Sequence, residues 1–328
     1  MQPNSSPHAG TLLSLIFAFS FSRDLQRIGY NPTVNLDLLD NSNSTIETIN
    51  ALVYQKGLRA AGNLEENLGD FYELAEILGG RYQVPYQVRF ERDLMGQKGM
   101  STVIRDIIRD RDMLGDQLSP SHRRIMVRAP CPVPNCGLVE KYAKQTEYDI
   151  EHDCCHFICP HHGPFTLSIE NDSSRFQFNT ELRTLIIGRF YSSSAKGYIE
   201  VSGSDFAGSW QEQVVWRHLQ SPIIILYTPL IVDWSGSKIS KSLYLRKEAY
   251  GYLRQAGQEY LCSYKVMKAQ GKKIDVLCDE VDLWIREPYR LFRAYTLAYL
   301  HLLFEHPEQL HTGLIIFQKD EAEDQVGR

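Results

Sequence analysis

The chain has 328 residues, 43% of them hydrophobic and 23% charged, with a formal net charge of -5. That is apolar material for a sizeable core in one or two domains. The acidic balance excludes bulk electrostatic attraction to nucleic acid or to an anionic membrane, so any RNA contact requires a local basic patch.

Residues 10–29 predict a helix that is apolar nearly all round, as expected of one buried against a sheet, with Gly29 closing it. Its run Leu12 to Phe21 lacks both the preceding positive charge and the following small-residue pattern of a signal peptide. No other apolar run approaches the ~20 residues of a membrane span, so no membrane partner is expected. Val34 to Leu39 reads as a strand, 44–59 and 64–79 as helices, and Val84 to Phe90 as a second strand. This alternation predicts an α/β fold with a parallel sheet and covering helices. Between 101 and 112, Val103, Ile104, Ile107 and Ile108 share one side of a helix laced with arginine and aspartate. We read it as a solvated face with i, i+4 charge pairs, the other reading being contact with an RNA backbone. Strand-like Ile125–Arg128 and Phe165–Ile169 flank a cysteine-rich insertion, and helix returns at 179–190. Tyr198 to Val201 is strand-like, a helix is expected near 207–219, and Ile223 to Tyr227 suits a strand buried on both faces. A polar loop spans 233–242, the chain is helical from 245, with one packed helix at 289–304, and the charged tail 319–328 is expected to be disordered.

Five of the seven cysteines crowd into residues 131–159 beside histidines, which suits an intracellular, cytoplasmic metal site better than a secreted disulfide framework. Cys131 and Cys136 form one knuckle, and Cys159 and His162 form the other. This spacing predicts a closed, structural Zn2+ site of the ribbon type, folding an insertion too small to hold its own core. Cys154, Cys155, His156 and His161 are spare candidates that leave the fourth ligand open. A cysteine nucleophile is the competing idea, but no separate base is indicated.

Three further words suit a nucleotide. Pro7-His8-Ala9-Gly10-Thr11 opens the first helix, where unpaired N–H groups and the positive end of the dipole favour a phosphate. Gly203-Ser204-Asp205 follows a strand, at the edge where a parallel sheet places ligand groups, although a plain helix-capping turn has the same composition. Gly236-Ser237-Lys238-Ile239-Ser240-Lys241-Ser242 offers two ammonium groups, three positions apart, on a segment able to close over a triphosphate. In order and content these words resemble the catalytic core of class I aminoacyl-tRNA synthetases, whose patterns are His-x-Gly-His and Lys-Met-Ser-Lys-Ser. With the cysteine-bearing insertion, the chain resembles class I lysyl-tRNA synthetase in particular.

The resemblance covers roughly residues 3–245 and implies a Rossmann-like sheet of the HUP type, with a zinc-ribbon insertion and a C-terminal helical region. It implies that ATP and Mg2+ form the substrate pair, that an amino acid, lysine favoured, becomes an adenylate, and that tRNA or another amine accepts it. By resemblance His8, Thr11, Lys238 and Lys241 are catalytic. Pro3, Asn4, Ser5, Gly10, Gly203, Asp205 and Ser240 join them in holding ATP, and Asp37, Asp40 and Asp205 are candidates for the amino acid. Thr11 stands where the family has its second histidine, and Ile239 where it has methionine. Two departures accompany these. Only Met1 and Gln2 precede Pro3, where the family has its first strand, so either the sheet lacks that strand or the chain is a shortened form. About eighty residues follow the lysine loop, too few for a large anticodon-binding region. The expected layout is 1–118 and 176–244 as the two halves of the nucleotide-binding domain, 119–175 as the zinc insertion, 245–318 as a helical region and 319–328 as a tail. A non-catalytic paralogue that binds nucleotide or a partner protein, and a zinc-dependent RNA-binding module, are the alternatives.

Overall fold

The computed structural model describes residues 1–193, 197–208, 215–219, 223–239 and 250–306. They form a mixed α/β protein in which parallel strand pairs are covered by helices. Helix α1, Ala9–Arg27, buries Leu12, Leu13, Ile16, Phe17 and Phe19 and so lies inside the molecule. It packs against β1, Val34–Leu38, and against α3, Leu68–Tyr82, which follows a short α2, Leu58–Ala61. Strand β1 runs parallel to β4, Tyr86–Phe90, with Leu36 opposite Val88.

The stretch 44–59 is not the helix that its sequence suggested. It is a hairpin of β2, Asn43–Ile49, and β3, Leu52–Gly57. Asn50 and Ala51 both take positive φ, as a two-residue turn matched to strand twist requires. Strand β3 continues onto β6, Val139–Glu140, so the hairpin joins the cysteine-rich region in one three-stranded sheet.

After β4 come α4, Glu91–Met95, α5, Met100–Arg109, and α6, Arg111–Leu118, the last two broken at Asp110. The charges of α5 reach outward, Arg105 pairing with Asp153 and Glu170 and only Arg109–Asp106 lying within the helix. Strand β5, Val127–Arg128, pairs with β10, Gln177–Phe178. Between them β7, Glu147–Asp149, β8, Cys154–Cys159, and β9, Gly163–Ser168, make an antiparallel sheet. Helix α7, Thr180–Ser192, closes a second core with α4, α5, α6 and these strands.

A second parallel pair follows, β11, Ile199–Gly203, with β12, Ile224–Thr228, and α1 packs on both. Among the described residues no strand joins β1 to β11; Met1 lies on the free side of β1, its carbonyl accepting from the Leu39 amide at 2.7 Å. Beyond β13, Ile231–Val232, come α8, Gly251–Gln255, α9, Tyr264–Ala269, and α10, Asp275–Arg286. The expected helix 289–304 is interrupted. Pro288–Phe292 is a 3₁₀ turn, and β14, Tyr295–Thr296, pairs in parallel with β13 before α11, Leu297–Glu305, begins. Strand pairing there outweighs the helical periodicity because the Tyr295 amide bonds to the Leu230 carbonyl at 2.8 Å. The helix expected near 207–219 falls partly, and the tail 319–328 wholly, outside the described residues.

Candidate functional site

The entry to α1 is built by a local cap. His8 is extended at the N-cap, and its Nδ1 accepts from the Gly10 amide at 3.1 Å. Any Cβ on Gly10 would lie 3.0 Å from His8 Cε1, so glycine leaves the imidazole its room. The segment before it is tied down by α9, the Tyr264 amide donating to the Pro7 carbonyl at 2.7 Å and the Lys265 amide to Ser6 Oγ at 2.9 Å. Pro3 is buried, whereas Asn4, Ser5, His8, Gly10 and Thr11 are half-buried.

Helix α1 is then fixed to the second parallel pair. Ser14 Oγ and Thr228 Oγ1, at the carboxyl end of β12, lie 2.7 Å apart. The carboxyl end of β11 carries Gly203-Ser204-Asp205. A Cβ on Gly203 would sit 2.5 Å from Asp205 Oδ1, so a side chain there would displace the carboxylate. Asp205 accepts from Lys238 Nζ, and that ammonium also stands 5.7 Å from the centre of the Phe206 ring.

Lys238 is delivered by a tight turn. The Ile239 amide donates to the Ile231 carbonyl at 3.0 Å, and Val232 bridges Lys238. At the tip, Asp233 Oδ1 accepts from the Ser235 and Ser237 amides at 2.8 and 3.1 Å, while Tyr252 donates to Oδ2 at 3.2 Å. Burial acts to raise the Asp233 pKa, but these donors outweigh it and hold the carboxyl below its ordinary range. Gly236 takes φ +81°, a conformation that suits glycine. Ile231 Cγ1 is 3.7 Å from the position of a Gly10 Cβ, so the strand that leads into the Lys238 turn begins beside the α1 entry. Asp233, Tyr252, Ser14 and Thr228 escaped the motif reading; the Asp-x-Ser-x-Ser spacing of an Asx-type turn was the available signal for Asp233. Ser240 and Lys241 lie outside the described residues.

The other two carboxylates are engaged elsewhere. Asp37 accepts a bidentate pair from Arg89 at 2.8 and 3.0 Å, and Arg89 also reaches the Tyr191 hydroxyl at 3.0 Å. Asp40 is buried and pairs with Arg59 at 2.7 Å.

The four metal candidates converge. Cys131 Sγ, Cys136 Sγ, Cys159 Sγ and a nitrogen of His162 all lie within 4.8 Å of one another. His162 Nδ1 is 3.5 Å from Cys131 Sγ and 3.5 Å from Cys159 Sγ, and Cys136 Sγ is 3.7 Å from Cys159 Sγ. Tetrahedral zinc, with bonds of ~2.3 Å to sulfur and ~2.0 Å to nitrogen, needs ligand separations of about 3.8 and about 3.5 Å. The donors therefore fit such an ion. Positive φ at Asn135 and Gly137 curls the first knuckle, and the β8–β9 turn forms the second. Burial pushes the Cys131 thiol up to about 12. It pushes Cys159 the same way, but amide donation from His161 and His162 and the neighbouring thiols bring that group below its usual value.

No helix among the described residues is long and apolar enough to cross a membrane. No protein-family model and no curated protein matches this chain. Among solved structures, a Campylobacter jejuni protein provisionally described as an arginyl-tRNA synthetase aligns over 98% of this chain and 85% of its own, at 10% identity and a TM-score of 0.31, a likeness too slight to carry an argument.

Proposed function

We propose that the chain is a synthetase-like, adenylate-forming protein that activates an amino acid with ATP. What supports this reading is that Lys238 pairs with Asp205 just past the carboxyl end of β11, that Ser14 of α1 touches Thr228 at the carboxyl end of the neighbouring β12, and that Ile231 lies beside Gly10 at the start of α1. In this reading Pro3, Asn4, Ser5, His8, Gly10 and Thr11 line the phosphate side, with Lys238, Ser240 and Lys241 opposite. Mg2+ accompanies the triphosphate. The carboxylate of the amino acid attacks the α-phosphorus, pyrophosphate leaves, and the imidazole and ammonium groups stabilise the charge that develops on the phosphate oxygens. Asp205, which holds Lys238 without nucleotide, is freed for a ribose hydroxyl or an ammonium when Lys238 turns to phosphate.

Lysine is the amino acid the family resemblance favours. Asp37, Asp40 and Asp205 each hold a cationic side chain, so a substrate ammonium must exchange with Arg89, Arg59 or Lys238. The acceptor is tRNA, through a ribose hydroxyl, or an amine, residues 119–175 form a zinc-stabilised insertion, and residues 1–118 and 176–244 form the nucleotide-binding halves. Amino-acid-dependent ATP–pyrophosphate exchange, screened over all twenty amino acids, tests the reading. Exchange with at least one is expected. ATP binding by calorimetry with no exchange for any of them would select a non-catalytic nucleotide-binding paralogue instead.

A further inference from the structure

A second group of metal-binding donors lies outside the closed cysteine cluster. Along β8 the residues alternate. Cys155 and Phe157 point into the second core, while Cys154 and His156 share the outer face. Asp149 stands directly across the ladder from Cys154, and Thr166 directly across from His156 on the other side. The register therefore gathers a thiol, an imidazole and a carboxylate on one patch of a three-stranded sheet. Their ligand atoms lie within 4.8 Å of one another, His156 Nε2 being 3.8 Å from Cys154 Sγ and 4.0 Å from Asp149 Oδ2.

Two features prepare this patch for an ion. Thr166 Oγ1 is 2.8 Å from His156 Nδ1, which holds the ring with Nε2 facing the sulfur and the carboxylate. His152 binds Asp149 through its amide at 3.0 Å and its Nδ1 at 2.8 Å, the outer-shell contact that orients a ligating carboxylate. The sulfur–nitrogen separation exceeds that of a bound tetrahedral ion, about 3.5 Å, by a few tenths of an ångström, and the nitrogen–oxygen separation exceeds its counterpart, about 3.3 Å, by about twice as much. Half-buried side chains on one strand pair can close that difference.

We propose that Asp149, Cys154 and His156 form a second metal site, open to solvent at its remaining position and selective for borderline divalent cations such as Zn2+ or Co2+. One soft, one intermediate and one hard donor disfavour Mg2+ and Ca2+, which take oxygen ligands. The site is independent of the nucleotide reading and of the Cys131 cluster, which is closed by four protein ligands.

The full chain, passed over a chelating resin, is titrated with Zn2+ against a chromophoric chelator and its zinc counted by elemental analysis. Two equivalents are expected for the wild type. Cys154→Ser and His156→Ala should each lose the weaker one, with far-UV circular dichroism and melting temperature unchanged, whereas Cys159→Ser should lose the tighter. His152→Ala should keep both equivalents but weaken the second about tenfold. Because one thiolate replaces three, the second stage of a Co2+ titration should add about one-third of the thiolate charge-transfer intensity of the first. A single equivalent in the wild type at saturating Zn2+, or a second equivalent that survives in both His156→Ala and Cys154→Ser, overturns the proposal.

Discussion

Lys238 and Asp205 are the residues on which the nucleotide reading turns. Their ion pair is partly exposed, so by itself it contributes little to stability. Its interest is positional, because it parks an ammonium at the sheet edge, within a rearrangement of side chains rather than of backbone. Lys238→Ala is expected to slow pyrophosphate exchange by a few hundred-fold, the ~3–4 kcal/mol typical of one lost preorganised donor, while the melting temperature stays within a degree or so. Exchange at the wild-type rate in that variant would remove Lys238 from the proposed chemistry. Gly203→Ala offers a companion test through geometry alone. Its Cβ presses on the Asp205 carboxylate, so it should raise the KM for ATP more than it lowers kcat.

At the scale of elements, the β2–β3 hairpin carries a prediction that the chain order alone does not suggest. Tyr54 and Gln55 of β3 pair with Glu140 and Val139, and Tyr54 packs in the same cluster as Cys131, Cys136 and Cys159. Ordering of the Cys131–Cys136 turn is therefore coupled to a segment some eighty residues earlier. Stripping metal, or Cys159→Ser, should reduce amide-exchange protection over 43–57 and 131–163 together by tenfold or more, while α1 keeps its protection. Unchanged exchange in the hairpin would show that the Cys131–Cys136–Cys159–His162 cluster is not coupled to it. The hairpin also marks where the sequence misleads. Ser44-Thr45-Ile46-Glu47-Thr48-Ile49 is rich in β-branched residues, a strand signal, but its two apolar residues, Ile46 and Ile49, stand three apart as on a helix face. Helices α1 and α7 were legible as long, largely apolar runs, and β1 and β4 because Val34–Leu38 and Tyr86–Phe90 alternate apolar with polar residues. Cys131, Cys136, Cys159 and His162 were legible because metal donors have rigid spacing requirements. Arg89 and Arg59, the partners of Asp37 and Asp40, were not, since pairing between residues 52 or 19 apart depends on tertiary placement. The break at β14 was hidden for the same reason: its partner β13 lies over sixty residues upstream.

The two largest apolar cores among the described residues meet near Glu91. It begins α4, whose Leu94 and Met95 belong to the second core, directly after β4, whose Val88 packs on the first. Asp40, at the end of the β1 segment, Arg128 of β5 and Arg183 of α7 surround it electrostatically. Glu91 is 2% exposed, and burial raises its pKa, outweighing Arg183 and Asn41, which favour the charged form. A carboxyl whose folded pKa lies above its unfolded value contributes stability that is complete below the unfolded value and is lost as pH rises through the folded one. The isosteric neutral variant Glu91→Gln removes that loss. It should therefore melt a few degrees above the wild type at pH 8, and the difference should shrink toward zero as pH falls to about 4, near the ordinary carboxylate range. Thermal unfolding of both proteins at a series of pH values reads this directly. A difference that is constant with pH would mean that Glu91 is ionised alike in the folded and unfolded chain, and that Arg128 and Arg183 fully compensate its charge where the two cores meet.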